Sequence, residues 1–79
     1  MSVKILYFAS LADRAGSSEE SVDSHSTTAK SIYEDARQRH GFTFAVDTLR
    51  VAVNGAFVAW DNIVNNGDEI VFIPPVSGG

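Results

Sequence analysis

The chain has 79 residues, the size of a single domain, and its formal net charge is −4. An acidic chain of this kind is not expected to bind nucleic acid, because phosphate contacts require clustered Lys and Arg side chains. The absence of cysteine excludes a disulfide framework, a thiolate nucleophile and a cysteine metal site. Neither a signal peptide nor an apolar run long enough to span a bilayer is present, so we expect a cytoplasmic protein without a membrane partner.

One strong helix is predicted near the middle of the chain. Thr27 or Thr28 supplies its N-cap, and Gly41 ends it after His40. Between these ends, four apolar residues recur at helical spacing: Ala29, Ile32, Tyr33 and Ala36. The connector that follows, residues 42–48, is expected to seal the end of the helix with its apolar side chains.

Strands are predicted on both sides of this helix. Their positions are residues 3–9, 20–25, 49–53, 56–60 and 70–73. Residues 10–16 predict a single helical turn that Gly16 ends. The dipeptides Asn54-Gly55 and Asn66-Gly67 are typical of tight turns, and the first predicts a hairpin between two strands. The order of elements indicates an α+β domain.

The strands contain more apolar residues than one helix can cover. Whichever set of strand residues packs under the helix, the other set is also apolar, and one assignment gives a core of Tyr7, Val51, Val53, Ile70 and Phe72. The alternating positions then place a second apolar set on the other face: Phe8, Phe57, Val71 and Ile73. Contiguous exposed apolar surface usually marks an interaction site. In the alternative interpretation, residues 42–46 or Trp60 fold over this face and bury it.

Single residues inside the domain do not form a recognisable active site. His25 and His40 have no cysteine or carboxylate at metal-ligand spacing, so no metal site is predicted. Asp68 and Glu69 follow a turn signal, which favours turn chemistry and a solvated strand start over an acid pair. Ser77 has no histidine within sequence reach that would act as its base.

The last ten residues carry the strongest functional signal. An apolar strand runs into Pro74 and Pro75, which cannot donate to a β-ladder and therefore end it. Gly78 and Gly79 have no Cβ, so they fit a channel too narrow for any other residue. The reactive group at this tip is the α-carboxylate of Gly79, which we expect to carry the chemistry.

These features resemble the ubiquitin-like sulfur carriers of the MoaD/ThiS family, specifically the MoaD-type small subunits of molybdopterin synthase. The most specific match is residues 66–79, NGDEIVFIPPVSGG, which resembles the family ending G-D-E, apolar residues, and P-P-V-[ST]-G-G. Residues 5–9 and 51–55 match less specifically. The resemblance implies a β-grasp fold: a mixed sheet of about five strands with one main helix packed on one face. It places the domain at residues 1–75 and a flexible tail at residues 76–79.

The resemblance also implies a function, that of a sulfur carrier in molybdenum cofactor biosynthesis that binds no cofactor itself. An E1-like adenylating enzyme would use ATP and Mg²⁺ to activate Gly79, and a persulfide sulfur donor would leave a C-terminal thiocarboxylate there. The tail would enter the large subunit of molybdopterin synthase, in a heterotetramer of two small and two large subunits. There its sulfur would pass to cyclic pyranopterin monophosphate.

The resemblance assigns site residues as well. Gly79 is the reactive residue, and the threading segment comprises Pro74, Pro75, Val76, Ser77 and Gly78. The partner interface comprises Phe8, Phe57, Val71 and Ile73.

Other functions stay open at this point. A related carrier would feed thiamine synthesis or tRNA thiolation with the same tail chemistry, although the Pro-Pro-Val-Ser ending argues against it. A ubiquitin-like protein modifier would join Gly79 to target lysines. A plain binding module with an accidental Gly-Gly ending predicts that deletion of Gly79 leaves function intact.

Overall fold

The computed structural model describes residues 1–25 and 27–75 of the chain. Its strands within these residues are β1 (Ser2–Tyr7), β2 (Glu19–Asp23), β3 (Arg50–Val53), β4 (Ala56–Val58) and β5 (Glu69–Ile73). Its helices are α1 (Ala9–Ala15), α2 (Ala29–His40) and a 3-10 helix at Val46–Thr48. The tail residues that the sequence singles out, Val76, Ser77, Gly78 and Gly79, lie outside the described part of the chain.

The strands form one mixed sheet in the order β2-β1-β5-β3-β4. The central pair, β1 and β5, is parallel, and the other pairs are antiparallel. Helix α2 covers one face of the sheet, where its buried residues join those of the strands in a single core cluster. All five predicted core residues belong to this cluster. The arrangement confirms the expected ubiquitin-like β-grasp fold.

Helix α2 begins and ends where the local sequence predicts. Thr28, not Thr27, is the N-cap: its Oγ1 accepts a hydrogen bond from the Ser31 N–H at 3.2 Å. The Thr28 N–H donates in return to the Ser31 hydroxyl at 3.2 Å, which completes a capping box. Gly41 ends the helix with φ of 71°, in the left-handed region that glycine adopts at low cost. The four predicted apolar residues of the helix are all buried.

Two local features stabilise the hairpin and the start of β5: the Asn54-Gly55 turn and the hydrogen bonds of Asp68. Asn54 and Gly55 both have positive φ, 52° and 87°, as a type I′ turn requires. The Asp68 carboxylate accepts hydrogen bonds from the Asn65 N–H at 2.8 Å and from Asn54 Nδ2 at 2.9 Å. These bonds, the one from Asn65 foremost, hold the pKa of Asp68 below its ordinary value. The predicted turn role of Asp68 is therefore confirmed.

Several predicted bounds are wrong by one or more residues. The single turn after β1 is a seven-residue helix, because Leu11 buries its side chain in the core and extends the helical packing. Strand β1 accordingly ends at Tyr7, and β2 begins one residue earlier than predicted. Strand β4 ends at Val58, and Trp60 lies beyond the sheet, where it packs against the core.

Candidate functional site: the open face of the sheet and the root of the tail

The face of the sheet opposite α2 carries a continuous apolar row. Strand pairing sets four residues side by side across it: Leu6, Val71, Ala52 and Phe57. Cross-strand partners point to the same face, and their neighbours along each strand point to the other. Ile5, Ile70 and Val51 are such neighbours, and they are buried under α2. The row therefore lies on the opposite side, which we call the open face.

The predicted interface residues lie on or beside this open face. Phe57 is 69% exposed and Phe8 is 51% exposed, while Val71 and Ile73 are half-buried. The sequence interpretation missed Leu6 and Ala52, which the pairing register adds to the same row. Their signal was available, because each alternates with a predicted strand residue that is buried under α2. Ala52 is itself buried and Leu6 is half-buried, so the exposed apolar surface is concentrated at Phe57 and Phe8. Such surface is characteristic of interaction sites.

The alternative interpretation, in which residues 42–46 or Trp60 cover this face, is wrong. Trp60 stacks on Phe72 with ring centroids 6.0 Å apart and contacts Tyr33 of α2 at 5.7 Å. Phe42 contacts Tyr7 at 5.5 Å and also stacks on Tyr33 at 6.1 Å. Both aromatic side chains therefore pack on the helix-covered side, where ring stacking adds to the burial of apolar area.

The root of the tail adjoins the open face. Strand β5 ends at Ile73, after which Pro74 is half-buried and Pro75 is exposed. Neither proline has an N–H to continue the ladder, so the chain leaves the sheet here, as predicted. A groove of about 440 Å³ lies beside this point, between the tail root and the segment that precedes β3. Its lining includes Arg50, Ile73, Pro74 and Pro75.

A polar cluster that was not predicted from the sequence lies on the helix-covered side of the sheet. Glu20 Oε1 accepts hydrogen bonds from the Tyr7 hydroxyl at 2.7 Å and from Arg39 Nη2 at 3.0 Å. His40 Nε2 lies 3.0 Å from the same oxygen. Strand β2 is thereby joined to β1 and to the last turn of α2. Sequence reasoning missed this cluster because its members lie 13 to 20 positions from Glu20 along the chain.

The electrostatics of this cluster indicate a structural role. We call its four residues, Glu20, Tyr7, Arg39 and His40, the clamp. Burial alone would raise the pKa of Glu20, but the hydrogen bonds from His40, Tyr7 and Arg39 lower it to about 2. Burial and the bond to Glu20 raise the pKa of the Tyr7 hydroxyl above its ordinary value. Both groups therefore hold fixed protonation states near neutral pH, which suits a clamp better than proton transfer.

Two further findings concern only the part of the chain that the structure describes. His25 and His40 belong to no group of three or more His, Cys, Asp or Glu side chains placed to hold a metal ion. No described helix has the length and apolar character needed to cross a membrane.

Comparison with known proteins identifies a matching family, two named relatives and a similar solved structure. The sequence model of the ThiS family matches residues 5–79. A protein of Escherichia coli K12 named molybdopterin synthase sulfur carrier subunit is 31% identical over 80 residues, covering 98% of this chain and 99% of its own. A protein of the same name from Haemophilus influenzae has the same identity and coverage. The crystal structure of SAMP1 from Haloferax volcanii, a small archaeal modifier protein, is 30% identical, covers 100% of both chains and has a TM-score of 0.83.

Proposed function

The chain belongs to the ThiS family, and on this premise we propose that it is a sulfur carrier in molybdenum cofactor biosynthesis, with Gly79 as the carrier residue. One observation carries the proposal: the apolar residues of the open face continue along β5 to Ile73, where the chain leaves the sheet at Pro74. A partner that docks on this face is held at the point from which the tail departs. The names of the bacterial relatives, which cover nearly the whole chain, support the same pathway.

The first chemical step is activation of the Gly79 carboxylate. A free carboxylate is a poor electrophile, so an E1-like enzyme converts it with ATP and Mg²⁺ into an acyl-adenylate and releases pyrophosphate. The terminal sulfur of a persulfide donor then attacks the acyl carbon and displaces AMP. A thiol cleaves the resulting acyl disulfide, which leaves a thiocarboxylate on Gly79. All catalytic groups belong to the partners, and this chain contributes a positioned reactant.

The second step is delivery. From Ile73, the six residues 74–79 reach about 20 Å when extended, at roughly 3.3–3.6 Å per residue. Pro74, Pro75 and Val76 stiffen the base of this tail, while Ser77 and Gly78 thread the channel of the large molybdopterin synthase subunit. There the sulfur passes to cyclic pyranopterin monophosphate, in a heterotetramer of two small and two large subunits. The docking residues are those of the predicted interface: Phe8, Phe57, Val71 and Ile73.

A second candidate function is protein modification. The observation that favours it is the relative SAMP1, a small archaeal modifier protein by name, which matches the whole chain at a TM-score of 0.83. A modifier shares the activation step but joins Gly79 to a lysine amine of a target protein. A carrier for thiamine synthesis or tRNA thiolation would share both activation and thiocarboxylate formation and would differ only in the acceptor.

The experiment that tests the proposal is intact mass spectrometry of the purified chain after incubation with the host's E1-like enzyme, ATP and a sulfur source. We expect a mass gain equal to the replacement of one oxygen by sulfur, and no gain in a matched chain that lacks Gly79. An unchanged wild-type mass, with the enzyme shown to be active on another carrier, would overturn the sulfur-carrier function.

The candidates are then separated by their acceptors. The thiocarboxylated chain is mixed with the large molybdopterin synthase subunit and cyclic pyranopterin monophosphate, and formation of the dithiolene is measured. We expect product with this acceptor and no lysine-linked conjugates in cell extracts. Conjugates without dithiolene formation would establish the modifier instead.

A further inference from the structure

Arg50 is a cation on the open face without a partner among the described residues. Four of the other cations of the chain are engaged there: Lys4 with Glu19, Arg37 with Glu34, Arg39 with Glu20, and Arg14 with the Gly41 carbonyl. Arg50 is exposed at the start of β3, where the structure shows no ion pair or side-chain hydrogen bond to a described residue. The strand neighbours of Arg50 indicate which surface its side chain joins.

Strand pairing sets Arg50 directly beside Ile73, the last residue of β5. Arg50 also lines the groove at the tail root together with Pro74 and Pro75. Because Val51, the next residue of β3, is buried under α2, Arg50 points to the open face. A partner that covers Ile73 and Phe57 must consequently cover the guanidinium as well.

A covered guanidinium requires acceptors. It carries five N–H donors and stays protonated, so burying it without a partner is strongly unfavourable. Asp47 lines the far side of the groove, on the 3-10 helix, but the structure shows no ion pair between the two side chains. Since no described residue pairs with the guanidinium, we take the docked protein as the source of its acceptor.

We infer that Arg50 is a specificity-determining residue of the docking face, and that the large subunit accepting the tail presents a carboxylate opposite it. A carboxylate matches the planar guanidinium with two parallel hydrogen bonds. The identity of this partner rests on the proposed function.

The position of Arg50 also makes the two ends of the open face electrostatically different. The cation lies at the end from which the tail leaves, while Lys4 at the opposite end is already paired with Glu19. A partner with its carboxylate near its channel mouth is attracted in the orientation that feeds the tail into the channel. Complementary charges of this kind act mainly on orientation and partner choice.

The test is the affinity of the thiocarboxylated chain for the large subunit, measured by calorimetry at low and high salt. Arg50→Glu is compared with Lys30→Glu, a matched charge reversal on α2, which covers the other face. We expect Arg50→Glu to weaken binding by at least about tenfold at low salt, with a smaller loss at high salt. Lys30→Glu should change the affinity by less than about twofold.

Each outcome decides the inference. Equal weakening by both variants would reduce the effect to net charge and overturn it. Unchanged or tighter binding by Arg50→Glu would overturn it as well, while leaving the proposed function intact because the wild type binds. Failure of the thiocarboxylated wild type to bind would instead overturn the proposed partner, and this inference with it. Circular dichroism of both variants confirms that they fold.

Discussion

Both faces of the same sheet carry apolar side chains, yet the described residues cover only the face that receives α2. Ile70 and Phe72 on the helix side are 0% exposed, whereas Val71 and Ile73, their neighbours along β5, are half-buried. Phe57 on the open face is 69% exposed. Since folding requires only one covered face, the second apolar set is surplus to stability. An apolar set that folding does not need is instead available for binding a partner.

The largest effect is expected from a matched pair of truncations, one on each face of the sheet. Phe72→Ala removes a ring that contacts Tyr33 and Trp60, at 5.1 and 6.0 Å, and leaves a cavity. We expect it to lower the free energy of unfolding by about 3–5 kcal/mol. Phe57→Ala should change it by less than about 0.5 kcal/mol. Urea denaturation measures both, and similar losses would show that the open face also contributes to the fold.

Binding should show the reverse order. Phe57→Ala is expected to weaken the complex with the large molybdopterin synthase subunit by about tenfold or more, because exposed aromatic anchors dominate interface energies. The control is Ile63→Ala, since Ile63 is also a large exposed apolar residue, at 59%, but lies outside the open face. An equal loss of affinity for both variants would indicate that general surface hydrophobicity, and not this face, determines docking.

The covered face depends on α2, so weakening the helix start should destabilise the domain without touching the open face. Thr28→Ala removes the capping hydrogen bond to the Ser31 N–H and should cost about 1 kcal/mol. Thr27→Ala, at the exposed neighbouring position, should cost much less. Thermal unfolding of both variants measures the difference. If the two variants unfold alike, the capping box contributes nothing measurable.

The clamp around Glu20 predicts a dependence of stability on pH. The pKa of Glu20 is lowered from its ordinary 4.5 to about 2 in the folded chain. Its stabilisation is therefore complete above pH 4.5 and is lost as the pH falls from 4.5 to 2. Glu20→Gln should remove roughly 1 kcal/mol of this dependence, after allowance for solvent screening.

The matched control for this pH effect is Glu19→Gln. Glu19 pairs with Lys4 on the open side at 3.1 Å, and its side chain is 57% exposed. An exposed pair contributes little, so this variant should keep nearly the whole acid dependence of the wild type. Urea denaturation between pH 2 and pH 5 compares the two variants. If Glu20→Gln loses as much stability on acidification as the wild type does, the assigned role of the clamp is contradicted.

Features that depend on near neighbours in the chain could be predicted from the sequence. The bounds of α2 follow from Thr28 and Gly41, and the hairpin follows from Asn54-Gly55, because caps and turns are formed by residues within one turn of each other. The apolar alternation of β5 also separated Ile70 and Phe72 from Val71 and Ile73 as two sets on opposite faces. The ending that carries the family resemblance is likewise contiguous, and it needs no tertiary contact to be recognised.

Which apolar set is covered and which stays open depends on the tertiary packing of α2. Alternation defines two faces but does not say which of them receives the helix, and the pairing register alone added Leu6 and Ala52 to the open row. The Glu20 clamp and the place of Arg50 beside Ile73 were invisible for the same reason. Each joins residues far apart in the chain, and such contacts exist only once the strands have paired.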